Sequence, residues 1–527
     1  MPPTTNSYDE LPYESHPFPQ THPDRLATVA TLLGLTPAPV DRCRVLELGC
    51  ASGGNLIPMA LGLPGSTFLG VDLSERQVAA GRETIAALGL ANVELRNLSI
   101  LDIAPELGQF DYIIAHGVYS WVPPAVQDKI LAVCHDNLAP GGIAYVSYNT
   151  LPGWHMRGMI RDMMCYHANH FTDPLTRVQQ GRSLLDFLAE SVAEEKNPYS
   201  VLLQTEVEHL RRAADYYLFH EHLEDVNEPI YFYQFAERAE KHGLRFLGEA
   251  ELHVMVAGNY PAKVAQVLQM LSPDVIHLEQ YMDFLRNRMF RQSLLCRRDA
   301  SPAYLLRPEQ LAAFAVASPA RPVNAAPDLH SAATEQFQNK AGVTLSSSAP
   351  IVKAAMLCLA DAWPHAVPFA DLCAQARARL TADAGDAAAR AHEASQLGDC
   401  FLRCYTSASG SLLELHIHAP RFTTNLSDWP TASPLARWQA QHGARVTNLR
   451  HEEVTLTEFD RYLLPLLDGT RDRETLAAEL RVVVDAGKLN VAQHGVPVRD
   501  EERLREILRT AVGEQLPRIA TAALLLS

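Results

Sequence analysis

An apolar run, Val45-Leu46-Glu47-Leu48, passes straight into the turn Gly49-Cys50-Ala51-Ser52-Gly53-Gly54-Asn55 and then into a helical pattern. That order is the opening unit of a doubly wound α/β domain, in which the turn lies at the carboxyl end of the first strand and its backbone passes close to a ligand. Glycine permits the approach because it has no Cβ and tolerates positive φ. A second apolar strand, Phe68-Leu69-Gly70-Val71, ends in Asp72. This acid stands about twenty residues after the turn, where a carboxylate meets the hydroxyl pair of a ribose. Together the two features predict a nucleoside ligand.

The composition of the turn narrows the ligand. A dinucleotide fold uses Gly-x-Gly-x-x-Gly to set a pyrophosphate on a helix N-terminus. Here Glu47 precedes the turn and Ala51 fills the middle glycine slot. A carboxylate there repels a diphosphate and suits a ligand with an ammonium and a sulfonium, which is S-adenosylmethionine. The cofactor-binding set read from the sequence is Tyr13, Glu47, Gly49, Cys50, Gly53, Asn55, Asp72, Ser99 and His116. Within it Glu47, Gly49 and Gly53 take the methionine end, Asp72 the ribose and Ser99 the adenine. Asp102 reads as a helix cap.

The chain has 527 residues, 61 acids against 45 bases and a formal charge of −16, enough length for several domains and a charge that argues against a nucleic-acid backbone as main partner. A cationic protein or peptide is favoured instead. Nine cysteines without a Cys-x-x-Cys fit reduced thiols and a cytoplasmic location. No basic-then-apolar leader is expected at the start, no run reaches membrane-span length, and no metal-ligand cluster stands out.

Along the chain, residues 8–18 are rich in aromatics and proline and predict an arm packed over the pocket. A helix over 24–35 and strands over 44–48, 67–71, 93–96, 110–115 and 143–148 follow, with helices between them. Strand four runs into His116-Gly117-Val118-Tyr119-Ser120-Trp121-Val122-Pro123, and strand five into Asn149-Thr150-Leu151-Pro152-Gly153-Trp154. Both loops should face the reacting centre. Residues 156–227 read as a helical insertion whose apolar faces call for a partner subunit, and 228–256 as the return to the core. Residues 262–296 read as helical throughout, with the bases of 279–291 on a solvated face. A hairpin over 337–345, a helix over 350–362, strands over 412–418 and helices over 458–467 and 473–486 suggest a winged-helix-like C-terminal unit. It has no Lys/Arg-rich recognition helix, which favours protein docking over DNA.

The arm Tyr8-Asp9-Glu10-Leu11-Pro12-Tyr13, the two loops after strands four and five, and His222-Leu223-Glu224-Asp225-Val226-Asn227-Glu228-Pro229-Ile230-Tyr231-Phe232 resemble bacterial protein lysine methyltransferases that carry a methyltransferase regulatory domain. The resemblance runs over nearly the whole chain and is strongest up to residue 298. It implies an α/β, Rossmann-like class I methyltransferase sheet with a helical insertion, α-rich middle and winged-helix-like C-terminal domains. The expected divisions are 1–155 and 228–256 for the core, 156–227 for a dimerisation insert, 257–345 for the middle domain and 346–527 for the C-terminal domain. It further implies a homodimer and, as substrate, lysines of an outer-membrane protein.

Methyl transfer to lysine requires a neutral amine. A solvated lysine has a pKa near 10.4, so deprotonation at pH 7 costs about 4–5 kcal/mol, which desolvation reduces. The candidate catalytic residues are therefore His116, Tyr119, Trp121 and Trp154, with Tyr13 as a further ring. The rings exclude water and attract cations, and His116 or a tyrosine hydroxyl orients the amine or passes on its proton. Two other readings stay open on the residues alone: a small-molecule O- or N-methyltransferase, and a non-catalytic cofactor-binding scaffold.

Overall fold

The computed structural model describes residues 11, 13–195, 197–380, 386–408, 410, 412–493, 496–498 and 500–526; the arm residues 1–10 and Pro12 lie outside them. Its centre is a sheet of β1 (Arg44–Leu48), β2 (Thr67–Asp72), β3 (Val93–Asn97), β4 (Phe110–Ala115), β5 (Leu138–Leu151), β6 (Ile230–Tyr231), β7 (Leu244–Glu249) and β8 (Phe290–Arg297). The order is β3-β2-β1-β4-β5-β8-β7, with β6 added beside β5. Strands β1 to β5 pair in parallel, and β8 runs antiparallel to both neighbours.

Alternation along β1 explains its place in the middle. Val45 packs into one apolar layer while Leu46 and Leu48 pack into the other, so both faces are buried, as a central parallel strand requires. The order reverses between β1 and β4, which opens a crevice beyond the carboxyl ends of those strands.

Strand β8 corrects the sequence reading of 262–296 as helical. Helix Val275–Arg286 ends at Asn287, whose φ of 48° is a left-handed cap, and the chain then enters the sheet. The bases expected on a solvated face divide accordingly. Arg291 is fully buried, with Nη1 donating to Glu249 Oε1 at 2.7 Å, Nε to Asp283 Oδ2 at 2.8 Å and Nη2 to Glu279 Oε2 at 3.0 Å. Its guanidinium also lies 3.8 Å over the Phe232 ring. The sheet thus takes a strand from beyond residue 256.

The insertion holds helices Trp154–Ala168, Pro174–Ser191, Pro198–Arg211 and Asp215–His222. They bury Ile160, Met164, Val178, Leu203, Leu210 and Phe219 among themselves, so much of the apolar surface expected to need a partner is covered within the chain. The strand expected at 412–418 for the C-terminal unit pairs, as Glu414–His416, with Ala315–Ala317 instead. Helix Pro350–Ala362 shares that core. The later elements, from Ala432 to Leu525, enclose an apolar core of their own.

Candidate active site

A cavity of about 650 Å³ lies over the carboxyl ends of β1, β2 and β4. At the floor, three residues of the glycine turn have positive φ: Gly49 at 73°, Ala51 at 46° and Gly53 at 77°. A Cβ on Gly49 would lie 2.5 Å from Val118 Cγ2, so only glycine lets the turn sit this close to the loop after β4. Asp72 fixes the turn, its Oδ2 accepting from the Ala51 N–H at 2.8 Å and its Oδ1 from the Ser74 N–H at 2.8 Å. A carboxylate has about four lone-pair sites, so one acid can both hold the turn and serve a ribose.

Glu47 is buried beneath the turn. Its Oε1 accepts from Asn55 Nδ2 at 2.7 Å, and its Oε2 has no hydrogen-bond partner among the described residues. Burial pushes its carboxyl up to about 8, with the Asn55 hydrogen bond acting against the rise and the Asp72 charge adding to it. A buried acid with one oxygen unsatisfied beside a glycine cradle fits a ligand that carries an ammonium.

The arm roofs this end. Gln77 Nε2 donates to Tyr13 O at 2.9 Å, Gly54 N to Ser15 Oγ at 2.8 Å and Phe18 N to Asn55 Oδ1 at 2.9 Å. Arg445 pairs with Glu14, and His16 Nδ1 lies 2.8 Å from Glu453 Oε2, so the C-terminal region holds the arm from outside. One side chain from there goes deeper: His451 Nε2 donates to Asn55 Oδ1 at 2.8 Å across 396 residues of chain.

The loops after β4 and β5 supply the other end, as expected. Trp121 and Trp154 line it, their rings 6.3 Å apart edge to face. Asn149 joins them, with its Nδ2 unpartnered among the described residues. His116 shares a 2.8 Å hydrogen bond with the Tyr145 hydroxyl, and its ring lies 3.9 Å from that of Phe18, tilted by 37°. Burial lowers its pKa to about 4, so its ring is neutral at pH 7 and compatible with a nearby sulfonium.

Of the residues expected from sequence, the cavity is lined by Tyr13, Glu47, Gly49, Cys50, Asn55, Asp72, Ser99, His116, Trp121 and Trp154. Ser99 Oγ also accepts from the Leu101 N–H at 3.2 Å. Two expected residues stand elsewhere. Tyr119 is fully buried behind the wall, against Phe235 at 5.3 Å and Tyr148 at 6.0 Å, because the single turn Tyr119–Trp121 sends its first ring inward and its last outward. Gly53 shapes the turn from behind, its N–H donating to Cys50 O at 2.8 Å. Sequence reasoning missed Ser15, Asn149, Tyr217, Glu221 and His451. Tyr217, His220 and Glu221 share one face of helix Asp215–His222 by i, i+3, i+4 spacing, a pattern available in advance only to a reader who knew which face met the cavity.

Comparison with known proteins shows the family of the chain that carries this cavity. Residues 46–144 match a methyltransferase domain, 214–297 the family described as a predicted methyltransferase regulatory domain, and 428–524 the PKMT C-terminal winged helix domain. The chain is 36% identical over 533 residues to the uncharacterized protein RP789 of Rickettsia prowazekii, covering 99% of this chain and 94% of that one. It is 44% identical over 241 residues to RP028 of the same organism, covering 46% of this chain and 96% of that one. The structure of PKMT2 from Rickettsia typhi in complex with AdoHcy superposes with a TM-score of 0.87 at 32% identity, covering 98% of this chain and all of that one. The chain belongs to the PKMT family. It is therefore a class I S-adenosylmethionine-dependent methyltransferase, with the Rossmann-like core and C-terminal winged-helix domain expected from sequence. The winged-helix match begins at residue 428, and the last hundred residues enclose the apolar core of their own described above. Among the described residues no helix is long and apolar enough to cross a membrane.

Proposed function

We propose that this PKMT methylates the side-chain amine of lysine in a protein substrate, with Glu47 holding the cofactor's ammonium, Asp72 its ribose and Ser99 bordering its adenine. S-adenosylmethionine, when bound, supplies an electrophilic methyl group. The observation that carries the reading is the single cavity joining two unlike ends, one acidic and glycine-lined, the other walled by Trp121 and Trp154. Such walls strip water from an incoming ammonium and attract it through their π faces. Met289 and Phe290 line the cavity yet are each 38% exposed, marking a mouth through which a side chain on a protein can enter. The family's PKMT name and the acidic charge of the chain support a protein acceptor, and an outer-membrane protein precursor met in the cytoplasm fits both. Apolar groups exposed on the insertion, Tyr166, Phe187 and Val201, support its use as a homodimer interface.

The test is transfer of tritium from labelled S-adenosylmethionine into a cell extract. Label in protein that survives acid hydrolysis as methyl-lysine is the expected result; label confined to small molecules overturns the reading.

The state of Glu47 gives a second expectation. With its pKa near 8 in the free protein, the group is mostly protonated at pH 7, and pairing with an ammonium favours the ionised form. Binding should therefore release close to one proton, and affinity should rise with pH up to about 8 and then level. Calorimetry with S-adenosylhomocysteine in buffers of different ionisation enthalpy measures that proton directly. A Glu47→Gln variant should release none.

A further inference from the structure

Besides Glu47 and Asp72 the cavity is lined by two acids, Glu14 and Glu221; Glu14 is engaged by Arg445 of the C-terminal region, which leaves Glu221. Glu221 lines the same cavity as Trp121, Trp154, Tyr217 and Asn149, near Tyr217 and near Arg157, whose guanidinium lies over the Trp154 ring. It projects from the insertion helix Asp215–His222 rather than from the sheet. Among the described residues no hydrogen bond or ion pair engages its carboxylate.

The neighbouring cation does not satisfy it. Arg157, from helix Trp154–Ala168, lies over the Trp154 ring at 5.5 Å and pairs with Glu206 at 3.7 Å. The remaining titratable groups that face Glu221 are Tyr13 of the arm and Tyr217 and His220 of its own helix. A carboxylate placed among rings, without a cation of its own, has the makeup of a site for an incoming ammonium.

We propose that Glu221 binds the acceptor lysine's ammonium and takes its proton before methyl transfer. This rests on the lysine reading above. In the step, an N–H bond of the ammonium breaks, the electron pair stays on nitrogen, and the proton forms an O–H bond on Glu221; the neutral amine is the nucleophile. The two other candidates for this task fit less well. His116 binds a proton too weakly, with its pKa near 4, and Tyr119 does not reach the cavity. Burial, opposed by Arg157 and His220, raises the carboxyl of Glu221 to about 7, close to the value that best balances ionisation against basicity at neutral pH.

Glu221→Gln keeps the shape and removes the charge. Two readouts test it. In cofactor-free protein, fluorescence anisotropy compares a pool of single-lysine peptides with the same pool bearing norleucine. The wild type should prefer lysine by about 10-fold, as a charged hydrogen bond warrants, and the variant should lose the preference. In tritium transfer to the lysine pool, the variant should fall about 100-fold in kcat/KM at pH 7. The deficit should shrink towards pH 10, where lysine deprotonates in solution. Affinity for S-adenosylhomocysteine should stay within about 2-fold, which also shows that the cavity is still folded.

A variant with wild-type preference and rate overturns the proposal, and so does a rate deficit equal at every pH. If the wild type itself labels no lysine peptide and protein extract stays unlabelled, the lysine reading fails first and takes this proposal with it. That outcome is seen before any variant is made.

Discussion

Arg291→Ala is expected to destabilise the methyltransferase sheet by about 3–5 kcal/mol, the loss typical of a buried ion network stripped of one partner. Glu249, Glu279 and Asp283 all bond this fully buried guanidinium. In the variant only Arg288, which donates to Glu249 Oε2 at 2.6 Å, would remain near them. Burial disfavours the charged form of Glu249, yet Arg288 and Arg291 outweigh it and hold that carboxyl below its usual range. Glu279 is already pushed up to about 7 by burial. Without Arg291 these groups would bind protons in the folded state more tightly than in the unfolded chain, so the variant should recover stability as pH falls. Urea unfolding at pH 8 and pH 5 measures both effects. A loss below about 1 kcal/mol at pH 8, or one that does not shrink at pH 5, contradicts the network's role.

Asp72→Ala is expected to weaken S-adenosylhomocysteine binding by about 100-fold, since two or more hydrogen bonds to a charged acceptor depend on it. Part of the loss is indirect: the Ala51 and Ser74 amides now held at 2.8 Å would be released, and the turn would sample other shapes. Asp72→Asn, which keeps one acceptor oxygen, should lose less. Unchanged affinity by isothermal titration in the alanine variant would remove Asp72 from the cofactor site. The apolar layers on both faces of β1 do not involve this side chain, so thermal unfolding should move little.

The parts of the site visible in the sequence are those that one strand-turn-helix unit and its successor bring together. Glu47, Gly49 and Asp72 lie within 26 residues of one another along a parallel pair of strands, so local spacing alone sets their geometry. Glu221 reaches the cavity, and His451 the Asn55 side chain behind it, by packing of distant segments, which no local period encodes. Tyr119 lies behind the wall because of one turn of tight helix, where a shift of two residues swaps core for cavity. The helical reading of β8 failed because Arg291 looks like a surface base. Only three acids from β7 and the helix Val275–Arg286 make its burial tolerable, and tertiary pairing overrides local pattern.

His451 stands outside the cavity lining, yet it completes the chain of hydrogen bonds that runs through Asn55 to Glu47. Thermodynamic reciprocity then applies. If filling the crevice firms up Glu47 and Asn55, the far terminal module is gripped harder in the same measure, and a protein that pulls this module away must loosen the methyl donor. The last hundred residues would thereby sense whether the enzyme is charged for a reaction, without any contact to the sulfur they respond to.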